Sequence, residues 1–431
     1  MKLFYSLLIL MLPLIPAAQT SITLKNAIDT TLKHSFDIQI AANNVEISKI
    51  NNTAGNAGAL PTISANVVDN QSSIDVLQKL NSGVEIKKSS ATSNVLTSSI
   101  TAGIVLFNGF KVKATRERLK NLQNLSELQL NLQIQNSIAS VMAKYYDIVR
   151  QQEYLKITGT LLEVSEKKLE IITERKKAGM ANDADYLQAL IDVNTVSQNI
   201  KAQQLVIDQA KTDLLQLMSI QNYYSYYVND SIIVDKSIEL SSVIAYLQKN
   251  PQYLSSEQQI KINEQVVKEI ITLRYPTLRL NTGMNFNRSQ NGAGLTLVNQ
   301  NIGPYAGVSL QIPIYNGNIF KIQKESALLN VDNSKIQSQN LMNLLTAGAL
   351  KTFQAYNTSI QQLDSQKNSL DLSKKLIHVI LERFKVNQAT ILDVKAAQAS
   401  YESTGYQLIN LSYAAKIAEI ELKRLRYQLT N

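Results

Sequence analysis

The sequence lacks cysteine and tryptophan, and among its 431 residues it has only 15 glycines, 7 prolines and 2 histidines. Without cysteine the protein has no disulfide, no thiolate metal ligand, no cysteine nucleophile and no acylated lipoprotein cysteine. The scarcity of glycine and proline argues against an all-β protein with many tight turns. His34 and His378 lie too far apart in the sequence to suggest a zinc site or a Ser-His-Asp triad.

Motifs and charge clusters of the common binding classes are also missing. Neither GxGxxG nor GxxxxGK(S/T), the loops that bind nucleotide phosphates, occurs in the chain. The formal charge of +9 comes from Lys and Arg scattered among Glu and Asp, which is typical of solvated helix surfaces rather than of a nucleic-acid-binding face. We therefore predict that the protein is not an enzyme, holds no cofactor or metal, and binds no nucleic acid.

The N-terminus has the parts of a secretory signal peptide. Lys2 supplies the positive charge, Leu3 to Ile15 form the apolar stretch, and Pro16 to Gln19 offer small residues for cleavage. We predict that residues 1–19 are removed on export; the alternative is a buried N-terminal helix. No later segment reaches the roughly 18 consecutive apolar residues of a transmembrane helix, so the sequence predicts none in the mature chain.

The chain contains two copies of one unit. Leu106-Phe107-Asn108-Gly109 is matched by Ile314-Tyr315-Asn316-Gly317, 208 positions later. Glu174-Arg175-Lys176-Lys177 is matched by Glu382-Arg383-Phe384-Lys385 at the same offset. A constant offset over this length of chain indicates an internal duplication.

Each copy predicts a helix, two strands and two long helices, with a proline (Pro61 or Pro276) ending the first helix. The first copy, residues 20–220, has its elements at about 24–57, 62–70, 95–106, 110–178 and 182–218. Residues 221–237 form a linker. The second copy, residues 238–431, has its elements at about 240–273, 277–288, 302–314, 318–386 and 390–428. The polar segments 71–94 and 289–301, between the strands, read as loops.

The strands alternate between apolar and polar residues, so each has one apolar and one polar face. In the third strand, Leu278, Leu280, Met284 and Phe286 alternate with Arg279, Asn281, Gly283 and Asn285. Runs of about ten residues suit tilted transmembrane strands, and the alternative is a soluble sheet packed on a core. Four strands cannot close a barrel, and no sheet edge can face lipid. A membrane location therefore requires an oligomer, and a trimer gives twelve strands.

The long helices carry a seven-residue apolar repeat, which indicates coiled-coil packing. In the first copy the repeat comprises Ile134, Val141, Ile148, Leu155, Leu162 and Leu169. In the second it comprises Met342, Ala349, Tyr356, Leu363, Leu370 and Ile377. A helix of roughly 70 residues is on the order of 100 Å long. Gly159, Gly348 and Gly405 lie inside these helices and mark either close helix approaches or weak points.

The duplication and its local motifs resemble the TolC family of outer-membrane efflux proteins over essentially the whole mature chain. Leu106-Phe107-Asn108-Gly109 and Pro313-Ile314-Tyr315-Asn316-Gly317 are similar to the family's joint, at which a strand turns into the long helix. Ala178-Gly179-Met180 with Asp185-Tyr186-Leu187-Gln188-Ala189 is similar to the tip between the two coiled-coil helices. Thr390-Ile391-Leu392-Asp393-Val394 is the matching tip in the second copy.

The resemblance implies a mainly α protein with a long coiled-coil helical barrel, and four strands per chain forming a trimeric twelve-stranded barrel in outer-membrane lipid. It implies a passive exit duct of a tripartite efflux or type I secretion system. The partners implied are two further copies, a periplasmic adaptor (membrane fusion) protein and an inner-membrane pump of the RND or ABC type. The competing interpretation is a periplasm-spanning coiled-coil tether without a lumen.

The resemblance also assigns residues at the tip. Asp393 falls on a gate position, where three symmetry-related carboxylates repel one another and their pKa values rise. The family's second Asp, three residues on, is Ala396 here. Asp185 is a candidate tie across the closed tip, and Phe384 stands where a gate Tyr occurs. The alternatives are helix N-terminal carboxylates for both Asp residues and helix packing for Phe384. The candidate adaptor contacts are Gly179, Met180, Asn387 and Gln388.

Overall fold

The computed structural model describes residues 20–220 and 226–429; the predicted signal peptide and the first five residues of the predicted linker lie outside them. The helices and strands are, in chain order, β1 (Thr20–Ser21), α1 (Leu24–His34), α2 (Phe36–Asn51), β2 (Thr62–Lys79), β3 (Glu85–Phe107), α3 (Lys111–Lys177), α4 (Asp183–Leu217), β4 (Tyr226–Tyr227), α5 (Leu240–Tyr246), α6 (Pro251–Thr272), β5 (Thr277–Asn291), β6 (Val298–Gln311), α7 (Ile319–Lys385) and α8 (Ile391–Leu425). Among the helices described, none combines the length and the apolar character needed to cross a membrane.

The chain folds as two compact units. The helical unit comprises the described parts of Met1–Ala42, Gln129–Leu254 and Asn340–Asn431, and the sheet unit comprises Asn43–Leu128 and Ser255–Gln339. The duplication is preserved in the helices, because α3 and α7 each have 67 residues and α4 and α8 each have 35. The result is a mainly helical fold with four long strands, as the sequence predicts.

The sheet unit holds a four-stranded antiparallel sheet in the order β2-β3-β5-β6. Each copy contributes one hairpin, and β3 pairs with β5 to join the two hairpins. Ile100 of β3 is paired with Ala65 on one side and with Met284 on the other, so residues with the same predicted face lie side by side. β2 and β6 are the two edges of this sheet.

The strands of the first copy are longer than predicted. Residues 71–94, predicted as a loop, mostly belong to β2 and β3, which are joined by only five residues. These residues are mostly polar, and the few apolar ones, such as Ile74 and Val84, form no continuous alternation, whereas backbone pairing does not require apolar side chains. A bulge interrupts the pairing after Ile74. There Ser90 adopts a positive φ of 54°, and its N–H donates to the Asp75 carboxylate at 2.7 Å.

The strands of the second copy also differ from prediction at their ends. β5 continues to Asn291, and β6 begins at Val298 and ends at Gln311, against a predicted 302–314. Pro313 has no N–H to donate to a strand ladder, which is consistent with the early end of β6.

The first helix of each copy is broken, contrary to the predicted single helices 24–57 and 240–273. In the first copy the break falls at Ser35, whose N–H still donates to Thr31 at 2.9 Å, and α2 ends ten residues before Pro61. In the second copy the break falls at Asn250, because the following Pro251 favours an extended residue before it, and Asn250 has ψ 128°.

The buried positions of the long helices follow the heptad prediction in α7 and depart from it in α3. In α7, Ala349, Tyr356 and Ile377 are buried, Met342, Leu363 and Leu370 are half-buried, and Phe384 continues the same ladder. In α3, Val141 and Ile148 are buried, but Leu155, Leu162 and Leu169 are only half-buried. The buried residues beyond Ile148 include Gln151, Ile157, Thr158, Leu161, Val164, Ser165, Lys168 and Ile172, so the buried face of α3 is displaced there from the predicted repeat.

Of the three helical glycines, Gly405 marks a close helix approach. A Cβ added to Gly405 in α8 would lie 2.8 Å from Cδ1 and 3.1 Å from Cγ1 of Ile157 in α3. A Cβ added to Gly348 or Gly159 would meet no atom within 4 Å. Only Gly405 is therefore required by packing within the described chain.

We expect Gly348→Ala to raise the free energy of unfolding by about 0.5–1 kcal/mol, because alanine restricts the unfolded chain and favours helix. We expect Gly405→Ala not to raise the free energy of unfolding, because overpacking against Ile157 costs about 1–3 kcal/mol and offsets the stabilisation by alanine. Urea unfolding of the detergent-solubilised protein, followed by helical circular dichroism, measures both. Ile157→Val should restore stability to Gly405→Ala; equal stabilisation by the two alanines would contradict the close approach.

Candidate functional site: the helical tip and the strand–helix joints

The turns that connect the long helices of the helical unit are built alike in the two copies. α3 and α7 each end with a left-handed residue, Gly179 at φ 73° and Asn387 at φ 68°. In each turn the next N–H bonds back to a carbonyl five residues earlier: Met180 to Arg175 and Gln388 to Arg383, both at 2.8 Å. This is the Schellman pattern, which satisfies the last carbonyls of a helix.

The four candidate adaptor contacts thus occupy two equivalent pairs of positions. Gly179 corresponds to Asn387, and Met180 corresponds to Gln388, in both cases at the offset of the duplication. The Met180 side chain is 67% exposed, unusually high for an apolar residue. Each pair lies directly after a long helix, where the helix-ending turn positions it.

The candidate gate aspartates begin the return helices. The Asn182 side chain accepts the N–H of Asp185 at 2.8 Å, and the Thr390 hydroxyl accepts the N–H of Asp393 at 3.2 Å. The Asp393 carboxylate in turn accepts the N–H and the hydroxyl of Thr390, both at 2.8 Å. Thr390 and Asp393 therefore form a reciprocal capping box.

The capping box has a direct electrostatic consequence. The backbone N–H of Thr390, and then its hydroxyl, lower the pKa of Asp393 below its usual range. Within one chain this is opposite to the raised pKa expected of a carboxylate in a repelling ring. The helix N-terminal role, which the sequence left open for Asp393, is thus present in the structure, and the ring stays a prediction.

Phe384 is a packing residue of the tip. Its side chain is 2% exposed, which agrees with the packing alternative. The Arg175 guanidinium lies over the Phe384 ring, 4.5 Å from its centroid, and donates a hydrogen bond to the Phe384 carbonyl. A cation stacked on an aromatic face is attracted by the quadrupole of the ring. Arg175 therefore ties the last turn of α3 to the last turn of α7.

A partly buried ion cluster close to the tip, around Asp192, was not predicted. The Asp192 carboxylate of α4 forms ion pairs with the ammonium groups of Lys168 of α3, at 2.6 Å, and of Lys395 of α8, at 3.1 Å. The Gln188 side-chain amide also donates a hydrogen bond to this carboxylate at 2.9 Å. Lys168 is fully buried. Burial raises the pKa of Asp192, but hydrogen bonds from the two ammonium groups outweigh burial and lower it overall. Lys168 is not a position of the predicted apolar repeat of α3, so that repeat carried no signal for the cluster.

The strand–helix joints of the sheet unit contain two consecutive left-handed residues each. These are Gly109 and Phe110, with φ of 65° and 68°, and Gly317 and Asn318, with φ of 64° and 65°. A Cβ on Gly109 would also lie 2.6 Å from the Cβ of Tyr275, whereas a Cβ on Gly317 would meet nothing within 4 Å. Three residues (108–110) connect strand to helix in the first joint and seven (312–318) in the second, and in both the two left-handed residues directly precede the helix.

Aromatic residues and an asparagine flank both joints, as predicted from the repeat. Phe107 packs edge-on against Phe110 with centroids 5.7 Å apart. Tyr315, at the equivalent position, is 79% exposed. Asn108 and Asn316 occupy the positions between the aromatic residue and the glycine. The Asn108 side chain accepts the N–H of Val112 at 3.5 Å, at the start of α3.

Paired strand hairpins, each followed by two very long helices and repeated twice in one chain, define a class of outer-membrane channel proteins. The sequence matches the outer membrane efflux protein family over residues 27–219 and 245–426. These ranges include most of the chain, so the chain belongs to this family, whose members are transport channels and not enzymes. No curated protein matches the chain in sequence.

Solved outer-membrane channels share the fold at low identity. The Campylobacter jejuni CmeC channel superposes with a TM-score of 0.75 at 16% identity, covering 94% of this chain and 85% of that chain. VceC of Vibrio cholerae gives 0.70 at 15%, covering 94% and 95%. The open state of Neisseria gonorrhoeae MtrE gives 0.71 at 17%, covering 94% and 89%. At these identities the likeness establishes the fold alone.

We expect Asp192→Asn to lower the free energy of unfolding at pH 7 by about 3 kcal/mol, because it leaves the buried Lys168 ammonium without its carboxylate. The folded pKa of Asp192 lies below the unfolded value of about 3.9. Its stabilisation is therefore complete above that pH and is lost as the pH falls through the folded pKa. Denaturant unfolding between pH 2 and pH 7 measures how the free energy of unfolding falls with pH. The part of this fall that comes from Asp192 should be absent from Asp192→Asn.

Asp183→Asn is the matched control for Asp192→Asn. Asp183 lies in the same helix and pairs with Lys176 at 2.7 Å, but its side chain is 80% exposed. An exposed ion pair contributes little, so this variant should unfold like the wild type. Equal effects of the two substitutions would contradict a stabilising role for the buried cluster.

Proposed function

We propose that the protein is the outer-membrane exit duct of a tripartite efflux or type I secretion system. Three copies combine their sheets into one twelve-stranded barrel in the outer membrane, and their long helices line a passage through the periplasm. A periplasmic adaptor docks at the tip and couples the duct to an inner-membrane pump of the RND or ABC type. Transport through the duct is passive, since the pump supplies the energy.

The observation that carries this proposal is an apolar band on one face of the sheet. Strand pairing aligns the apolar residues in successive rows: Leu278 with Leu310; Ile104, Leu280 and Val308; Ile63, Ala102, Thr282 and Ala306; Ala65, Ile100, Met284 and Pro304; and Val67, Ser98, Phe286 and Ile302. Many of these side chains are exposed, including Ile63 at 74% and Ile302 at 65%. A soluble sheet would cover such a face with a core.

The band has the dimensions of a membrane-facing surface. From Ile302 to Leu310 the band runs roughly 26 Å along β6, at about 3.3 Å per residue, which suits a transmembrane strand. The next row beyond Ile302 contains Asp69, Leu96, Arg288 and Gln300, so three of its four side chains are polar or charged. The opposite end of the band leads into the two strand–helix joints.

The trimer is inferred from the edges of the sheet. β2 and β6 each have one unpaired side within the described chain. Unpaired backbone N–H and C=O groups cannot face lipid, because the bilayer core has no water to bond them. Pairing β6 of one copy with β2 of the next satisfies these groups, and three copies give twelve strands, an even number as in known barrels.

The opposite face of the sheet suits a water-filled lumen. Asn281, Gly283 and Asn285 lie on this face of β5. The Tyr305 hydroxyl is hydrogen-bonded to the Thr101 hydroxyl at 2.9 Å, and the Tyr305 ring approaches Gly283 closely. Apart from Arg279, the side chains named on this face of β5 are small or neutral and offer little chemical selectivity, so we assign cargo choice to the pump.

We expect Met284→Lys to abolish the outer-membrane trimer, because a lysine at the lipid face of a barrel strand costs about 2–4 kcal/mol near the midplane, in each chain. Asn285→Lys is the matched control: it adds the same side chain one residue away, on the lumen face, and should leave the trimer intact with altered conductance. Native mass of the detergent-extracted protein and planar-bilayer recordings measure the two effects. A stable wild-type monomer or dimer in the periplasm would instead favour a tether without a lumen.

We propose that Asp393 also forms the cation-attracting constriction at the tip. Asp393→Asn should lower cation selectivity and weaken block by divalent cations in bilayer recordings, because it removes three like charges from the ring. Thr390→Ala is the control, since it disrupts the capping box but retains the carboxylate. If Asp393→Asn leaves both conductance and block unchanged, Asp393 serves only as a helix cap.

A further inference from the structure

Two cavities of the sheet unit are related to each other by the duplication. One, of about 450 Å³, lies where β3 turns into α3, and the other, of about 660 Å³, lies where β6 turns into α7. Most residues that line the first have a counterpart in the second 208 positions later. The same chemistry is therefore present twice in each chain.

Each cavity combines an aromatic residue with two cations. The aromatic residues are Phe107 and Tyr315, and the cations are Lys113 with Arg116 in the first cavity and Lys321 with Lys324 in the second. The two cations of each pair are three residues apart on a helix, so they share one helix face. An aromatic next to a cation pair is typical of the membrane interface.

Cations outnumber carboxylates in both cavities. Glu117 and Glu325 are the acidic residues of the two linings, and the second cavity has Arg274 as a third cation. Arg116 donates one N–H to the Asn52 carbonyl at 2.9 Å, which positions the guanidinium and leaves its other donors available to a ligand. Lys321 and Glu325 are 4.0 Å apart and both largely exposed, so their pairing is weak.

An apolar rim adjoins the cations of each cavity. Leu106 is 53% exposed and Ile314 is 95% exposed, and both line their cavities. The joints lie at the end of the apolar band opposite the row that contains Asp69 and Arg288. In the proposed orientation this end meets the headgroups of the periplasmic leaflet. A ligand that fits must present an anionic group to the cations and an apolar chain to the rim.

We propose that each joint cavity binds the headgroup phosphate of an anionic phospholipid from the periplasmic leaflet, with two sites per chain. The cations hold the phosphate, the aromatic residue lies at the headgroup level, and the rim contacts an acyl chain. This inference rests on the proposed membrane location of the sheet. It adds a defined lipid stoichiometry, set by the duplication, which a general affinity for the bilayer does not require.

Native mass spectrometry of the delipidated, detergent-solubilised protein tests the stoichiometry. The probes are phosphatidylglycerol, zwitterionic phosphatidylcholine and inorganic phosphate, each titrated separately. We expect two phosphatidylglycerol molecules per chain in the wild type and one in Lys113→Gln/Arg116→Gln or Lys321→Gln/Lys324→Gln. The affinity of each altered site should fall about tenfold or more, since each basic residue near a membrane surface contributes substantially to binding anionic lipid.

Two further variants separate lipid binding from folding and from general charge. Lys113→Gln alone keeps the Arg116 hydrogen bond to Asn52 and should still weaken the first site. Lys335→Gln/Lys351→Gln removes the same charge from exposed lysines of α7 outside the cavities, and should keep two lipids per chain. Unchanged phosphatidylglycerol binding in a variant that combines Lys113→Gln/Arg116→Gln with Lys321→Gln/Lys324→Gln, or equal binding of phosphatidylcholine or of phosphate alone, would overturn the proposal. Bilayer conductance of the same preparations tests the duct separately, because a conducting channel with unaltered lipid binding refutes only the lipid sites.

Discussion

The backbone hydrogen bonds at the two edges of the four-stranded sheet are the constraint on which the rest of the architecture depends. In the proposed membrane location the apolar face of the sheet meets lipid, which cannot satisfy the N–H and C=O groups of β2 and β6. Copies of the same chain are the simplest source of the missing strands. In the proposed trimer the helices that follow each hairpin repeat with the same symmetry, so the sheet would determine the number of helices around the passage.

The parts of the fold that could be predicted are those in which one face of an element is buried along its length. The heptad ladder of α7 is buried or half-buried from Ala349 to Phe384, so its periodicity located the helix and its core. In α3 the predicted ladder is only half-buried beyond Ile148, and the buried face there includes polar residues such as Gln151 and Thr158, which an apolar template does not detect. The outer halves of β2 and β3 were missed for a related reason: they are mostly polar, and their few apolar residues form no continuous alternation.

The tip shows a different limit of sequence reasoning. The caps at Asn182 and Thr390 are local, and a short sequence window contains all their partners. The cluster around Asp192 joins Lys168 and Lys395, which are far apart in the sequence, so it becomes visible only when three helices are assembled. Asp393 combines both cases, because its capping role is local whereas a ring of carboxylates depends on neighbouring copies.

The two strand–helix joints show how a duplicated turn can diverge. Two features require glycine at position 109: its left-handed backbone, and the side chain of Tyr275, which leaves no space for a Cβ. At position 317 only the left-handed backbone favours glycine, and asparagine or aspartate tolerate that conformation. The second joint is therefore open to mutational drift in a way that the first is not. During evolution, position 317 can therefore accept more residue types than position 109 without loss of the joint.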